Sequence, residues 1–368
     1  MQYIDEFRNP EAVERVLARI RSRSTQPIRL MEFCGGHTHA ILRFGLRQLL
    51  PPTIELLSGP GCPVCVTSQR DLDTAMVLAR TEGVILTTFG DMIRVPATNG
   101  SLQETRARGG DVRIVYSSLD ALGIARANPG RQVVFLGVGF ETTAPTVAAA
   151  ILAARAEGLA NFSVLSLHKL TPPAMKAILD AGELRISGII GPGHVTTIIG
   201  SRAWEFLPAN HGIPCAVAGF EPLDILEGVH ALVDMIERGK PAVWNAYARS
   251  VRPEGNSEAQ RRMQQVFRVE AAQWRGLGEV ASSGLVLGEE FASFDALSRF
   301  PIRLDASPEP KGCRCGEVLR GVAQPQECAL FGRACSPENP VGPCMVSGEG
   351  ACAAYWLYRD DRRLEGTG

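Results

Sequence analysis

From Ile28 to about Gly239, short apolar runs alternate with helical patterns. A chain written this way has few folds open to it, because each buried strand needs a helix to cover it and each crossover favours a parallel neighbour. Eight strands are expected, at Ile28–Phe33, Ile54–Leu57, Val84–Thr88, Val112–Tyr116, Val133–Gly137, Phe162–Leu167, Ile186–Ile190 and Cys215–Ala218. Several end in Gly, Ser, Thr or Pro, at the positions where an open α/β sheet places its ligands.

A length of 368 residues implies two or three domains. Two echoes, Gly59-Pro-Gly-Cys-Pro-Val with Gly191-Pro-Gly-His-Val and Gly139-Phe-Glu-Thr-Thr with Gly219-Phe-Glu-Pro-Leu, suggest two related halves. The turn signal Asn128-Pro129-Gly130 would separate them. The expected class is α/β, with two Rossmann-like parallel-sheet domains over residues 1–130 and 131–222 and a helical and loop iron-sulfur domain over residues 223–368. In that last part Val243–Ser250 and Ala259–Gly276 read as helical, and the chain is irregular from Pro308 to Ala351. Val13, Val16, Leu17 and Ile20 mark an amphipathic packing helix near the start.

A net charge of −1 with 21% charged residues leaves no electrostatic footprint for nucleic acid or an anionic membrane. No run approaches the roughly 18 apolar residues of a membrane span, and Asp5, Glu6 and Arg8 stand where a signal region would be apolar. A cytoplasmic protein is expected. In that reducing compartment ten cysteines point to metal or thiol chemistry.

Cys313, Cys315, Cys328, Cys335, Cys344 and Cys352 lie among Gly, Pro and small residues with little apolar periodicity, so the segment needs a cross-link or a metal to order it. Structural zinc would take four of them, usually as two tight pairs, and this spacing is looser. Choosing Cys313, Cys328, Cys335 and Cys352 gives C-x14-C-x6-C-x16-C, four thiolates able to wrap an iron-sulfur cluster from separate loops. Cys315 and Cys344 then remain as a spare pair, and a dithiol beside a cluster can exchange electrons with it.

The first strand runs into Cys34-Gly35-Gly36-His37-Thr38-His39, followed by an apolar-periodic helix. Cys34 should face that helix's N-terminus, where backbone N–H groups favour a thiolate that serves as nucleophile or soft metal ligand. His37 and His39 are candidate ligands or proton donors, against the plainer reading of hydrogen-bonded loop histidines. Cys62-Pro-Val-Cys65 again sits between strand and helix, and Ser68 and Asp71 supply a capping box. Its spacing permits a redox disulfide, with a zinc half-site as competitor.

Gly137-Val-Gly139-Phe-Glu141-Thr142-Thr143-Ala-Pro145 joins a strand to a helix and offers hydroxyls and N–H groups to an anion, although it lacks the Gly-Lys-Ser/Thr ending of a Walker loop. The alternative is an ordinary helix cap. His168-Lys169 and Gly193-His194 occupy equivalent strand ends and would line the same cleft. Asp91 and Arg94 are cleft residues or a local ion pair. No Gly-x-Ser-x-Gly elbow or His-Glu-x-x-His segment occurs.

Taken together, Met31-Glu-Phe-Cys34-Gly-Gly-His37-Thr-His39, Gly59-Pro-Gly-Cys62-Pro-Val-Cys65-Val-Thr67, Gly139-Phe-Glu-Thr-Thr-Ala-Pro145, Gly191-Pro-Gly-His194-Val and the segment from Lys311 to Tyr355 closely resemble the HypD family of nickel-iron hydrogenase maturation factors over essentially the whole chain. The resemblance implies a scaffold on which iron acquires cyanide and carbon monoxide before delivery to the hydrogenase large subunit. It implies a small HypC-type partner sharing the iron and a HypE-type partner supplying cyanide. By that likeness Cys34 is the iron-holding thiolate, and Cys62 and Cys65 are a redox pair; His37, His39, Glu141, Thr142, Thr143 and His194, read from their loops, are the further candidates for the working site. Cys313, Cys328, Cys335 and Cys352 would bind a 4Fe-4S cluster, with Cys315 and Cys344 as the adjacent disulfide, as in proteins similar to ferredoxin:thioredoxin reductase. The competing function is a free-standing iron-sulfur thiol-disulfide reductase.

Overall fold

The computed structural model describes residues 5–304 and 307–359. Its strands are β1 (Ile28–Glu32), β2 (Ile54–Ser58), β3 (Val84–Thr88), β4 (Val112–Ile114), β5 (Gln132–Gly139), β6 (Phe162–His168), β7 (Gly188–Pro192), β8 (Cys215–Ala218), β9 (Val243–Asn245), β10 (Phe267–Trp274) and β11 (Gly278–Leu287). Two parallel sheets form, in the orders β2-β1-β7-β8-β9 and β4-β3-β5-β6, while β10 and β11 make an antiparallel hairpin. Helices cover both sheets, which gives two Rossmann-like α/β units and a cysteine-rich helical and loop region.

The sheets do not follow the expected division at residue 130. β1 pairs with β7 on one side and β2 on the other, and β3 and β4 share a sheet with β5 and β6, so one unit is inserted into the other. Local patterns locate strands; the partner of each strand is a long-range choice they do not encode. Two helical expectations are also corrected. Val243–Ser250 opens with edge strand β9, and the helix at Ser257–Val266 stops there, handing over to β10. The hairpin turns at Arg275-Gly276-Leu277, where Gly276 and Gly278 take φ values of 81° and 72°, a left-handed region that suits glycine.

Val16, Leu17 and Ile20 of the helix Pro10–Arg23 are buried in the core beside Ile225, Val229 and Leu232 of the helix Pro222–Glu237, so this segment is the packing element its periodicity predicts. The cysteine-rich region is tied to the body by polar contacts. Arg94 donates to Pro337 O at 3.2 Å and Val346 O at 3.4 Å, Ser347 donates to Asp91 at 2.7 Å, and Arg47 binds Tyr355 and Leu56 O. Asp91 and Arg94 are therefore tethers between regions, not a local ion pair. No helix among the described residues is long and apolar enough to cross a membrane.

Candidate functional site

In an open parallel sheet the connections leaving two neighbouring strands diverge at one point, and a crevice opens there at the carboxyl ends. In the five-stranded sheet this happens between β1 and β7, and in the four-stranded sheet between β3 and β5. Both crevices open into one cleft of about 700 Å³. The β1 and β7 ends bring Cys34 and His194, the β3 and β5 ends bring Asp91 with Thr142 and Thr143, and Ser347 and Glu349 of the cysteine-rich region close one side. A depression of about 820 Å³ at the amino ends of β3, β4 and β5 is larger, and it contains none of the residues singled out above.

Cys34 is a half-buried free thiol at the N-cap of the helix Gly35–Arg43. Its backbone N–H donates to the Glu32 carboxylate at 2.9 Å, and Thr38 donates to the same carboxylate. Glu32 is itself buried, which pushes it up to about 7. The loops after β1 and β2 interlock: Gly35 N–H donates to Gly61 O at 3.1 Å, and a Cβ on Gly61 would overlap the Cys34 backbone. Glycine is required there by close approach. Contrary to the expected thiolate, burial first, then the Glu349 and Glu32 carboxylates, push the Cys34 thiol up to about 12, outweighing the Gly36 and His37 N–H groups. An arriving cation reverses that balance, because the same carboxylates attract it and it displaces the thiol proton.

The histidines separate. His194 lines the cleft and stacks on Phe220 at 3.9 Å between ring centroids. His37 is buried and stacks on the same Phe220 ring at 4.8 Å, with Nε2 against Ala218 O and Gly219 O at 3.2 and 2.9 Å. Burial pushes it down to about 4, so it is neutral and structural. His39 faces the Tyr358 hydroxyl at 2.8 Å, away from the cleft. Glu141 is also absent from the cleft wall: it accepts from Thr171 N–H at 2.8 Å and caps the helix Thr171–Ala181. His168 and Lys169 do not line the cleft as expected, being enclosed beneath the β10–β11 hairpin with Lys169 Nζ donating to Gln273 O at 2.8 Å.

Behind the cleft, Cys62 and Cys65 form a disulfide across Cα atoms 5.2 Å apart, and Cys315 and Cys344 form another across 6.3 Å. All four are nearly inaccessible and belong to one hydrophobic core. The turn Pro63–Val66 packs against the short helices Cys315–Leu319 and Pro343–Met345, which carry the second disulfide. Cys313, Cys328, Cys335 and Cys352 remain free, and all six cysteines line one cavity. Among the described residues no three His, Cys, Asp or Glu side chains converge tightly enough for a single metal ion. The four free thiols share the lining of that cavity. Their mutual repulsion adds to burial in raising Cys313 and Cys352.

Sequence reasoning missed Glu32, Ser347 and Glu349 as site residues. A carboxylate two places before the cleft thiol was a readable signal for Glu32; nothing local signals that Ser347 and Glu349 fold back to the cleft.

Comparison with known proteins adds an independent line. The HypD family model, described as "Hydrogenase formation hypA family", matches residues 11–359. Similar proteins include hydrogenase maturation factor HypD of Cupriavidus necator, 47% identical over 368 residues that span 97% of each chain. That of Azotobacter vinelandii is 48% identical over 372 residues, 99% of this chain and 98% of the relative. That of Escherichia coli is 45% identical over 368 residues, 98% of each.

Proposed function

Because the chain belongs to the HypD hydrogenase-formation family, we propose that it is a cytoplasmic scaffold for building the iron centre of nickel-iron hydrogenases. The cargo is a ferrous ion held by Cys34, which takes on cyanide and carbon monoxide before transfer to the hydrogenase large subunit. A HypC-type partner shares the ion and a HypE-type partner supplies cyanide. The observation that carries this reading is the shared cleft: one free thiol beside two carboxylates, a histidine and two threonine hydroxyls, where the switch points of both sheets meet.

Each residue has a task that its chemistry suits. Cys34 gives up its proton to the incoming cation, and Glu32 and Glu349 lower that cation's energy. His194, with no hydrogen-bond partner of its own among the described residues, offers a ring nitrogen to a cyanide or carbonyl ligand. Thr142 offers a hydroxyl donor at the start of the helix Ala144–Ala156, while the Thr143 hydroxyl donates to Phe140 O at 3.3 Å and presents its oxygen as an acceptor.

The donor set of Cys313, Cys328, Cys335 and Cys352 fits a 4Fe-4S cluster, being four free thiols that line one cavity. Such a cluster supplies single electrons when bound. Cys315–Cys344 and then Cys62–Cys65 stand between that cavity and Cys34 in one core, which suits them to two-electron storage. A free-standing reductase of protein disulfides is disfavoured because it needs a thiol that a protein substrate can reach. Here Cys62, Cys65, Cys315 and Cys344 are 3%, 0%, 5% and 1% exposed.

Infrared spectra of the chain purified with its small partner test the proposal. Bands in the metal cyanide and carbonyl region that disappear in Cys34→Ala are expected. Multiple-turnover reduction of a disulfide substrate by a protein lacking such bands would sink it.

A further inference from the structure

Arg275, at the tip of the β10–β11 hairpin, is 2% exposed. Its backbone N–H donates to Val66 O at 2.9 Å, its Nε to Thr67 O at 3.1 Å and its Nη2 to Gln69 Oε1 at 3.1 Å. All three acceptors follow directly on the Cys62–Cys65 turn. Its remaining nitrogen pairs with Glu309, a side chain 55% exposed at the start of the cysteine-rich region. The adjoining Gly276 packs so closely on Gly316, beside Cys315, that neither tolerates a Cβ, and Arg320 donates to Gly276 O at 2.7 Å. The hairpin tip is thus wedged between the elements that carry the two disulfides.

An enclosed guanidinium needs a reason, because burying a charge is costly and neutral groups satisfy backbone carbonyls as well. The nearby buried cation Lys169 has Asp71 at 3.3 Å to answer it. Arg275 has a solvent-exposed carboxylate, and it feels the Cys313 thiol ahead of Asp71 and Asp73. It stays cationic, burial lowering it only to about 10.

We infer that Arg275 is a positioning residue for the thiol chemistry, its charge holding the Cys62–Cys65 pair in a field that favours the reduced state. Reduction breaks the S–S bond, takes in two electrons from a one-electron iron-sulfur donor or from an added dithiol, and leaves one thiolate and one thiol that binds a proton. The oxidised pair is neutral and the reduced pair carries negative charge, so a fixed cation displaces the equilibrium toward the dithiol. This rests on the reading that Cys62 and Cys65 cycle.

The test is a redox titration of the full-length, cluster-loaded chain in oxidised and reduced dithiothreitol, with thiol labelling and mass spectrometry of the Cys62–Cys65 peptide. Arg275→Gln is expected to move the midpoint about tenfold toward disulfide, which for a two-electron couple is about 30 mV. Arg275→Lys, which keeps the charge and loses the fork, is expected to stay near the parent. Glu309→Gln, on an exposed side chain, is expected to move it roughly twofold the other way. If Arg275→Gln does not fold, the sign of the Glu309→Gln shift decides. An unmoved Arg275→Gln, an Arg275→Lys displaced as far as Arg275→Gln, or a Glu309→Gln shift that is absent or toward disulfide overturns the electrostatic role and leaves the cycling pair intact. A Cys62–Cys65 pair that never reduces in the parent protein overturns both readings.

Discussion

In β5, Val133, Val134, Phe135 and Leu136 expose nothing to solvent, and each of the two parallel sheets is closed by apolar side chains on both faces. Between residues 313 and 352 the only separate apolar cluster is Val318, Ala323 and Ala351. The first region is held by hydrocarbon and the second by sulfur. The two disulfides show the same contrast in miniature. Closing the 29-residue separation of Cys315–Cys344 is worth about 3–4 kcal/mol in the chain-entropy account, against about 2 kcal/mol for the three-residue separation of Cys62–Cys65. Cys315–Cys344 therefore contributes substantially to order, whereas Cys62–Cys65 constrains little of the chain and its reduction costs the fold little.

Breaking the sulfur side should have the largest effect. Cys328→Ala is expected to abolish the brown absorption that the proposed cluster would give and to loosen the segment by on the order of 3 kcal/mol. Tryptic cleavage should appear first between Lys311 and Arg333 while the α/β body persists. Iron content and cleavage rates matching the parent would remove Cys328 from the ligand set.

Gly61→Ala attacks the junction, forcing a Cβ into the Cys34 backbone. A loss of about 2–3 kcal/mol in urea unfolding is expected, typical of overpacking that displaces main chain. An unchanged midpoint would show that the two loops move independently.

Glu141→Gln sharpens the apolar side. Burial raises the Glu141 carboxyl to about 7, above its ordinary value near 4.5, so the folded state binds a proton that the unfolded state releases. Its contribution is fully present below pH about 4.5 and is lost as pH rises through 7. The glutamine variant, which still accepts from Thr171, should match the parent at pH 4 and exceed it by on the order of 1–3 kcal/mol at pH 8. A constant gap across that range would contradict the buried-carboxyl account.

The smallest effect belongs to Cys34→Ala. A half-buried thiol held only by its loop should cost less than about 1 kcal/mol in thermal or urea unfolding, with the cluster absorption retained. A large destabilisation would mean that Cys34 is a core residue and not a vacant ligand.

Much of this contrast is legible in the sequence. The strands at Val84–Thr88 and Cys215–Ala218 are read to the residue, because apolar runs between turn signals leave little choice. The β10 strand escapes, since its residues between Phe267 and Trp274 are mostly exposed and lack a two-residue alternation, although the Gly276 and Gly278 turn was visible. Cys34, Thr142, Thr143 and His194 line one cleft, a placement their strand-end positions suggest. Glu141 and His37 lie outside the cleft wall, because a motif places a residue on a loop without saying which way its side chain turns, and both turn inward to backbone groups.

The insertion of one sheet into the other has a consequence for synthesis on the ribosome. A nascent chain extruded through Ala181 already contains every strand of the four-stranded sheet, yet only β1 and β2 of the five-stranded one. The inserted unit is free to fold first, while Cys34 waits for β7 to arrive beside it and for Glu349, made almost last, to wall the cleft. A half-made protein thus has the thiol but not its enclosing cleft, and the cargo proposed for Cys34 would meet a finished site only when translation is nearly complete.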